Sequence, residues 1–362
     1  MRSVVVTGVG GSLGQRVARL LAEHHDVDRI VGIDMVAPAF SHPKLEFRMV
    51  DLSVPGGADG QLRESFRGVD GILHLAWRTP DERGRPSDVA EAAVANRTSL
   101  SRVLQAAAEA DVVSVVFVSS ATVYGAWPDN KVPLTEDTPL RPNPEFGFAV
   151  AKAEAERVAA DWAAAHAAVD MVVLRPAVTL GSPGRPLYQA LGATRTPRSA
   201  DSSRPVQYLH VDDLAAAVVV AWERHLRGVF NVAPDAGVPE DQARALAGGV
   251  AKLTLPSRVA QEVSDLAWRF WRSGVPKEAR AYAIHPWVVA PDKLKAEGWA
   301  PAYSSEEALV ATDARPHWDD LPPGKRQNYN LIVAVIAVAG VVAGAGALVA
   351  AIRSRRRRRN RA

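Results

Sequence analysis

The N-terminal segment carries the clearest structural signal in the chain, and it reads Val4-Val5-Val6-Thr7-Gly8-Val9-Gly10-Gly11-Ser12-Leu13-Gly14-Gln15-Arg16-Val17-Ala18. A run of β-branched residues, a glycine-rich stretch and an amphipathic stretch predict a strand, a tight turn and a helix. Glycines in such a turn let the backbone approach a phosphate closely, and the amides of the helix N-terminus then face its charge. The segment therefore predicts a pyrophosphate site formed by Gly8, Gly11, Ser12, Leu13 and Gly14.

A second predicted strand indicates that the ligand is a dinucleotide. Residues 29–33 are apolar apart from Arg29, and they end at Asp34, twenty residues after Gly14. A carboxylate at this place accepts a hydrogen bond from the ribose 2′-hydroxyl of NAD and repels the 2′-phosphate of NADP. Because no arginine follows Asp34 directly, we expect NAD as the cofactor.

The rest of the N-terminal half continues this alternation. Strand patterns recur at residues 45–50, 71–75 and 113–118, and a helical pattern covers residues 89–110. Strands that alternate with helices predict an α/β fold with a parallel sheet covered on both faces. The 362 residues, of which 48% are hydrophobic and 23% charged, are enough for a large α/β domain with an appendage and exclude a disordered chain.

The composition excludes several other classes of protein. No cysteine occurs, which excludes disulfides, thiolate metal sites and cysteine nucleophiles. Residues 353–362 contain seven arginines, so the remaining chain carries 36 basic groups against 40 acidic ones. We therefore expect that the body binds no nucleic acid. No cluster of ligands supports a metal site, and His210 with Asp212 and Asp213 reads as a turn into a helix.

Further motifs follow in order along about residues 1–312: Asp51-Leu52, His74-Leu75-Ala76, Asn96, Val118-Ser119-Ser120-Ala121-Thr122-Val123-Tyr124-Gly125, Leu174-Arg175-Pro176 and Tyr208-Leu209-His210-Val211-Asp212-Asp213. With the glycine turn, they resemble the extended short-chain dehydrogenase/reductases, specifically the NAD-dependent epimerase/dehydratase family. The resemblance implies a Rossmann-type doubly wound parallel sheet in residues 1–180. It also implies a smaller C-terminal substrate domain in residues 181–312, interleaved with the Rossmann elements.

The same resemblance implies further contacts with NAD. Asp51 contacts the adenine, Leu52 lies beside it, and Ala76 lines the dinucleotide groove. Asn96 is either a cofactor contact or a polar residue on a helix face. Lys152 binds the nicotinamide ribose.

The catalytic pattern of that family is incomplete in this chain. By the resemblance, a tyrosine hydroxyl exchanges a proton with the substrate, and a lysine four residues later supports it. Ser120 either orients the substrate oxygen, as the resemblance implies, or is only a hydroxyl at the end of a strand. Lys152 is present, but Phe148 stands at the tyrosine position, and no tyrosine has a lysine four residues after it. Three interpretations stay open: the activity is residual, the site binds NAD without turnover, or another group substitutes, such as Tyr124, Glu145 or Tyr188.

The C-terminal region predicts a membrane anchor. Residues 313–330, which include Pro316, Pro322 and Pro323, read as a linker. From Leu331 to Ile352 the chain has 22 residues that are all Leu, Ile, Val, Ala or Gly. As a helix this segment is about 33 Å long, enough to cross a bilayer. The arginine tail at 353–362 would then bind acidic phospholipid head groups.

The two ends of the chain give conflicting predictions for how the anchor is oriented in the membrane. The chain starts Met1-Arg2-Ser3 and enters the first strand directly, which predicts a cytoplasmic body without a secretory signal. Counting arginines places the C-terminal tail in the cytoplasm as well. Either the arginines cross the membrane although basic residues favour the cytoplasmic side, or the apolar segment bends and returns to the cytoplasmic side.

We therefore predict an NAD-dependent epimerase/dehydratase-like oxidoreductase that acts on a hydroxyl or carbonyl of a small or sugar-nucleotide-like substrate. The alternative is a catalytically silent NAD-binding sensor or scaffold at the membrane. Val178 and Val206 stand where the sugar-nucleotide enzymes of the family carry an asparagine and a phosphate-binding arginine. Assembly as a homodimer is left open.

Overall fold

The computed structural model describes residues 2–54, 56, 59–79, 86–181, 198–199, 204–246, 254–255 and 277–311. The chain divides into two units, Met1–Ala314 and Arg315–Ala362, and the second lies entirely outside the described residues. The division expected near residue 180 within the first unit stays a prediction.

The predicted linker, membrane segment and arginine tail all lie outside the described residues. Within the part of the chain that the structure describes, no helix combines the length and the apolar character needed to span a membrane. The membrane anchor therefore stays a prediction.

The strands of the described residues are β1 (Arg2–Thr7), β2 (Val27–Asp34), β3 (Leu45–Met49), β4 (Gly71–His74), β5 (Ser114–Val118), β6 (Asp170–Pro176), β7 (Val178–Leu180), β8 (Arg198–Ser199), β9 (Pro205–Val206), β10 (Tyr208–His210), β11 (Gly228–Val232), β12 (Val238–Pro239) and β13 (Thr254–Leu255). Seven of them form the central sheet in the order β11-β6-β5-β4-β1-β2-β3. All its neighbouring strands are parallel, as the alternation of strands and helices predicts. The short strands pair as β7 with β10, β9 with β12 and β8 with β13.

The helices of the same residues are α1 (Ser12–Glu23), α2 (Asp59–Phe66), α3 (Pro86–Glu109), α4 (Gly147–Ala165), α5 (Val211–Glu223), α6 (Glu240–Leu246), α7 (Arg280–Ile284), α8 (Asp292–Ala296) and α9 (Ser305–Ala311). Two 3₁₀ turns cover Ala121–Tyr124 and Lys277–Ala279. The helix expected at residues 89–110 is present and starts three residues earlier, at Pro86.

The helices cover both faces of the sheet. Successive side chains of a strand point to opposite faces. Accordingly Val4 and Val6 of β1 join one apolar core with residues of α1 and α5, while Val5 joins a second core with residues of α2, α3 and α4. The prediction of a doubly wound sheet is thus confirmed.

The strand order also positions the site. The chain moves outward from β1 through β2 to β3, and then crosses back to β4 on the other side of β1. In such sheets the ligand crevice lies at the carboxyl ends of the strands where the order reverses. Here those ends are Thr7 of β1 and His74 of β4.

Candidate active site

The glycine turn after β1 is packed so tightly that side chains are excluded. Gly8 has φ +76°, and a Cβ there would lie 2.7 Å from the amide nitrogen of Ala76. A Cβ on Gly14 would lie 2.1 Å from the carbonyl oxygen of Gly8. The Gly8 amide donates to the Ile33 carbonyl at 2.8 Å, which holds the turn against β2. The turn therefore has the close backbone packing that a pyrophosphate cradle requires.

Asp34 lies at the end of β2, beside this turn, as its sequence position predicts. Its Oδ2 accepts from the Gly10 amide at 2.9 Å, and its Oδ1 accepts from the Met35 amide at 2.7 Å. These bonds fix the carboxylate next to the cradle. Ser12, the first residue of α1, accepts at its Oγ from Arg16 Nη1 at 2.7 Å.

Asp51 and Leu52 follow the carboxyl end of β3, at the same edge of the sheet as the glycine turn. The Oδ1 of Asp51 accepts from the Ser53 hydroxyl at 2.6 Å and from the Ser53 amide at 2.8 Å. These two hydrogen bonds hold the pKa of Asp51 below its ordinary value, so the group is a carboxylate at neutral pH. Leu52 is buried.

Ala76 and Asn96 belong to the wall that β4 and α3 contribute. The Ala76 amide donates to Thr7 Oγ1 at 3.2 Å. The buried side chain of Asn96 accepts from the Arg78 amide at 2.7 Å and donates to the Arg78 carbonyl at 2.8 Å. Asn96 thereby fixes the segment after β4, and its contact with the cofactor stays a prediction.

One cleft brings the glycine turn and Lys152 together. It encloses about 650 Å³ including solvent at its mouth, and the described residues that line it are Gly8, Gly11, Leu13, Gly14, Leu75, Trp77, Val118, Ser119, Lys152, Pro176, Thr179, Val211 and Leu214. The donor set and the packed glycines fit a dinucleotide.

Lys152 is held in this cleft by backbone and aromatic contacts. Its side chain is buried, with the whole residue 4% exposed. The ammonium donates to the Val118 carbonyl at 2.7 Å and lies 3.4 Å from the centroid of the Trp77 ring. Phe148, one turn earlier on α4, is also buried, and its ring meets Trp77 edge to face at 6.3 Å.

The two serines after β5 have different surroundings. Ser120 caps the 3₁₀ turn, since its Oγ accepts from the Thr122 amide at 3.3 Å and the Thr122 hydroxyl at 3.0 Å. Ser119 lines the cleft and donates its hydroxyl proton to Glu156 Oε1 at 2.5 Å. The role of Ser120 in orienting substrate stays a prediction. Ser119 and Trp77 were not predicted as site residues, although Ser119 lies within a family motif and Trp77 directly follows one.

A buried ion pair lies behind Ser119. Arg175 of β6 donates to both carboxylate oxygens of Glu156 on α4, at 2.6 to 3.1 Å. Arg175 Nη1 also donates to the Tyr124 hydroxyl at 2.8 Å, and that hydroxyl donates to Asn231 Oδ1 at 2.8 Å. The chain of bonds ties α4, β6, β11 and the turn after β5 together.

This network removes Tyr124 as a substitute for the missing catalytic tyrosine. Its hydroxyl is committed to two side chains, and burial raises the pKa of Tyr124 to about 12. Glu145, a second candidate, is exposed ahead of α4. Tyr188, the third, lies outside the described residues.

His74 is a packed residue at the end of β4. Its Nδ1 lies 2.8 Å from Thr7 Oγ1. Because Thr7 Oγ1 already accepts from the Leu75 and Ala76 amides, the threonine donates its proton to Nδ1. Burial, together with the positive charge of Lys152, lowers the pKa of His74 to about 3, so the ring is neutral at physiological pH.

The polar residues at the start of α5 accept hydrogen bonds from backbone amides, and His210 is the N-cap of the helix. His210 accepts from the Asp212 amide at its Nδ1, at 3.3 Å. The Asp213 carboxylate accepts from the backbone amides of Ala302 and Tyr303, at 2.8 and 3.1 Å. These bonds account for the His-x-Asp-Asp pattern as a turn into a helix.

Comparison with known proteins agrees with this geometry. The model of the NAD dependent epimerase/dehydratase family matches residues 4–233, more than half of the chain. The low-salt glycan biosynthesis protein Agl12 of Haloferax volcanii is 26% identical over 329 residues, which span 85% of this chain and 96% of that protein.

Solved structures show the same fold. The UDP-glucose 4-epimerase of Thermus thermophilus, in complex with NAD, has a TM-score of 0.64 at 23% identity and covers 86% of this chain and 97% of its own. The dTDP-glucose 4,6-dehydratase DesIV of Streptomyces venezuelae, with NAD and TYD bound, has a TM-score of 0.64 at 22% identity and covers 86% and 95%. The family match and the fitting cradle identify NAD as the cofactor. The chain belongs to the NAD-dependent epimerase/dehydratase family.

Proposed function

We propose that this protein is an NAD-dependent oxidoreductase that transfers a hydride between NAD and a hydroxyl or carbonyl of a small or sugar-nucleotide-like substrate. The observation that carries the proposal is the cleft that the closely packed glycine turn and the buried Lys152 line together. A cofactor held along one wall of that cleft would bring its reactive ring towards the lysine at the other. NAD supplies the hydride chemistry, and the chain supplies binding, orientation and exclusion of water.

In this proposal different residues of the cleft bind different parts of the cofactor. The backbone of the glycine turn holds the pyrophosphate, and Asp34 accepts from the adenine ribose. Asp51 and Leu52 bound the adenine. Towards the nicotinamide end, the contacts are Ala76, Asn96 and Lys152, with Ser120 orienting the substrate oxygen.

The proposed substrate class rests on the relatives of the chain and on a small pocket lined by Val178 and Val206. Agl12 is a glycan biosynthesis protein, which supports a sugar-nucleotide-like substrate. In this chain Val178 and Val206, both buried, line a smaller pocket with Arg204 and Trp287. Apolar side chains at these two positions support a substrate with fewer phosphate contacts than a nucleotide sugar makes.

A second function is favoured by one specific observation, the buried phenylalanine at the acid/base position. Phe148 brings no exchangeable proton, and Tyr124 is locked away from the cleft. A catalytically silent NAD-binding sensor or scaffold would have this arrangement. The glycine cradle supports NAD binding equally in both cases.

We further propose that residues 331–352 anchor the protein in a membrane as a single pass and that the arginine tail binds acidic phospholipids. The proposal rests on the sequence, namely the 22 apolar residues and the seven arginines after them. Reporter fusions after Ala362 and before Met1 test it. A single-pass anchor places the two reporters on opposite sides, whereas reporters on the same side contradict it.

Cofactor binding is tested with the full-length chain in detergent micelles. NADH and NADPH are titrated by nucleotide fluorescence against the native chain, Asp34→Ala and the control Asp28→Ala, which changes an exposed carboxylate of the same strand. We expect a preference for NADH that Asp34→Ala reduces about tenfold or more, while the control behaves as the native chain. Absence of NADH binding to the native chain contradicts both functions.

Turnover separates the two functions. The native chain is incubated with NAD and either UDP-glucose or dTDP-glucose, and reduced nicotinamide is followed by absorbance. Reduction by the native chain contradicts the silent module. Reduction that appears only in Phe148→Tyr, in a native chain that binds NADH, supports the silent module.

A further inference from the structure

The described wall of the cleft carries one titratable side chain. Among the described residues that line it, Lys152 alone titrates. The others are glycines, apolar side chains, two hydroxyl residues and Trp77. Hydride transfer to a carbonyl produces an alkoxide that needs a proton, so some group at the cleft has to supply it.

Among the described residues, three aromatic or imidazole groups near the cleft do not qualify as the proton donor. Tyr282 donates its hydroxyl to the Thr122 carbonyl at 2.6 Å, and burial raises its pKa far above its ordinary value. Tyr124 is committed to Arg175 and Asn231. His74 is neutral at physiological pH and takes the Thr7 proton at Nδ1.

Ser119 does not qualify either, because its proton is already placed. It donates to Glu156 Oε1 at 2.5 Å, so towards the cleft its oxygen acts as an acceptor. Glu156 is paired through both oxygens with Arg175, and both side chains are about 5% exposed. The pair of Glu156, one turn after Lys152 on α4, and Arg175 on β6 therefore has no net charge, and its carboxylate is buried behind Ser119.

Lys152 itself is placed and oriented for the task. The Val118 carbonyl at 2.7 Å accepts one of its ammonium protons. The faces of Trp77 and Phe117 lie 3.4 and 5.1 Å from the nitrogen and fix its position without offering a competing acid. Phe148, at the tyrosine position of the family motif, is buried against Trp77 and Phe146 and brings no exchangeable proton.

We propose that Lys152 is the proton carrier of this site, in place of the absent tyrosine hydroxyl; this rests on the proposed oxidoreductase function. As a hydride from NADH forms the new C–H bond at a carbonyl carbon, the Lys152 ammonium transfers a proton to the carbonyl oxygen. The carbonyl becomes an alcohol, NADH becomes NAD⁺, and the lysine becomes a neutral amine that solvent reprotonates. In the oxidative direction the neutral amine takes the hydroxyl proton while the hydride leaves to NAD⁺.

The test uses proton release on cofactor binding, which needs no substrate. The positive nicotinamide of NAD⁺ would lie beside the ammonium, so a lysine that can act as the base releases a proton when NAD⁺ binds. Calorimetry of the full-length chain at pH 8.5 in phosphate, HEPES and Tris buffers measures this release as the dependence of binding enthalpy on buffer ionisation. Lys152→Arg keeps the positive charge but cannot release a proton. Lys152→Met has neither a positive charge nor a proton to release.

We expect proton release on NAD⁺ binding by the native chain and none by Lys152→Arg or Lys152→Met. Lys295→Arg, at a half-buried lysine that pairs with Asp235 outside the cleft, is the matched control and releases protons as the native chain does. Equal release by the native chain and Lys152→Arg, including none in either, overturns the role of Lys152 and leaves NAD binding intact. Loss of NAD⁺ binding in both Lys152 variants also overturns it, because the lysine then serves only to hold the cofactor. Absence of NAD⁺ binding by the native chain overturns the proposed function as well.

A kinetic measurement distinguishes proton transfer from cofactor orientation. With 4-nitrobenzaldehyde and NADH as the probe reaction, Lys152→Arg is expected to lower kcat about a hundredfold or more, with the KM for NADH within about twofold of the native value. An unchanged kcat with a raised KM, or no turnover by a native chain that binds NADH, overturns the assignment.

Discussion

The ammonium of Lys152 lies 3.4 Å from the centroid of the Trp77 ring, and the same indole meets the edge of Phe148 at 6.3 Å. The segment after β4 that carries Trp77 is held by the Asn96 side chain through the Arg78 backbone. The position of the lysine charge therefore depends on three separate parts of the chain: α4, the end of β5 and the segment after β4.

The contact between Trp77 and Lys152 is expected to stabilise the fold. A cation over an indole face contributes about 0.5 to 2 kcal/mol, with the larger values for desolvated pairs. A double-mutant cycle with Trp77→Leu and Lys152→Met, measured as free energies of unfolding in urea, should give a coupling of that size. Trp127, which packs on Arg141 instead, is the control, and Trp127→Leu should add to Lys152→Met without coupling. Additive effects for Trp77 and Lys152 contradict the contact.

Restoring the hydroxyl at position 148 should raise turnover. Phe148→Tyr adds one oxygen on α4, one turn before Lys152, and a positioned acid or base is worth roughly a hundred- to ten-thousandfold in rate. The measurement is bound-cofactor reduction with UDP-glucose or dTDP-glucose. Phe146→Tyr, at a buried neighbour whose ring packs on Tyr282 at 5.0 Å, adds the same atom elsewhere and should give no gain. Equal rates in both variants would show that the hydroxyl is not what the site lacks.

The sequence was sufficient for the parts of the site that depend on local backbone. The glycine turn must follow a strand and precede a helix, so its spacing alone predicts its conformation. Asp34 is likewise placed by its position at the end of the second strand. The parallel order of the sheet follows because most of its strands are joined to the next through a helix, although β2 and β3 are joined without one.

The remaining parts depend on contacts between residues far apart in the chain. Glu156 and Arg175 meet because α4 crosses the sheet over β6, and no local pattern marks either residue as buried. The same pairing locks Tyr124 and gives Ser119 its acceptor. Candidates drawn from residue type alone, such as Tyr124, therefore failed at the point where burial and hydrogen-bond partners decide the chemistry.

The Glu156–Arg175 pair gives a stability prediction. Replacing one partner leaves the other charge buried and uncompensated, which costs about 3 to 5 kcal/mol. Glu156→Gln should lower the free energy of unfolding by that amount, measured in urea at pH 7. Glu154→Gln, on the exposed face of the same helix, should change it by less than about 0.5 kcal/mol. A cost for Glu156→Gln no larger than that of the control would mean that Arg175 finds another partner.

His74 gives a pH dependence of stability with a defined sign. Its pKa in the folded chain is about 3, against an ordinary value of 6.5. Between those values the unfolded chain binds a proton that the folded chain excludes, so this group destabilises the fold progressively as pH falls from about 6.5, and its effect is absent above that value. The contribution approaches about 1.4 kcal/mol per pH unit for one proton.

His74→Gln keeps an acceptor for the Thr7 hydroxyl but does not titrate, so its unfolding free energy should fall less steeply than that of the native chain between pH 6.5 and 4. His25→Gln, which replaces an exposed imidazole, should leave the slope unchanged. Parallel pH profiles for the native chain and His74→Gln would mean that the folded protein admits a proton at His74, and that the ring is not held neutral by its burial between β1 and β5.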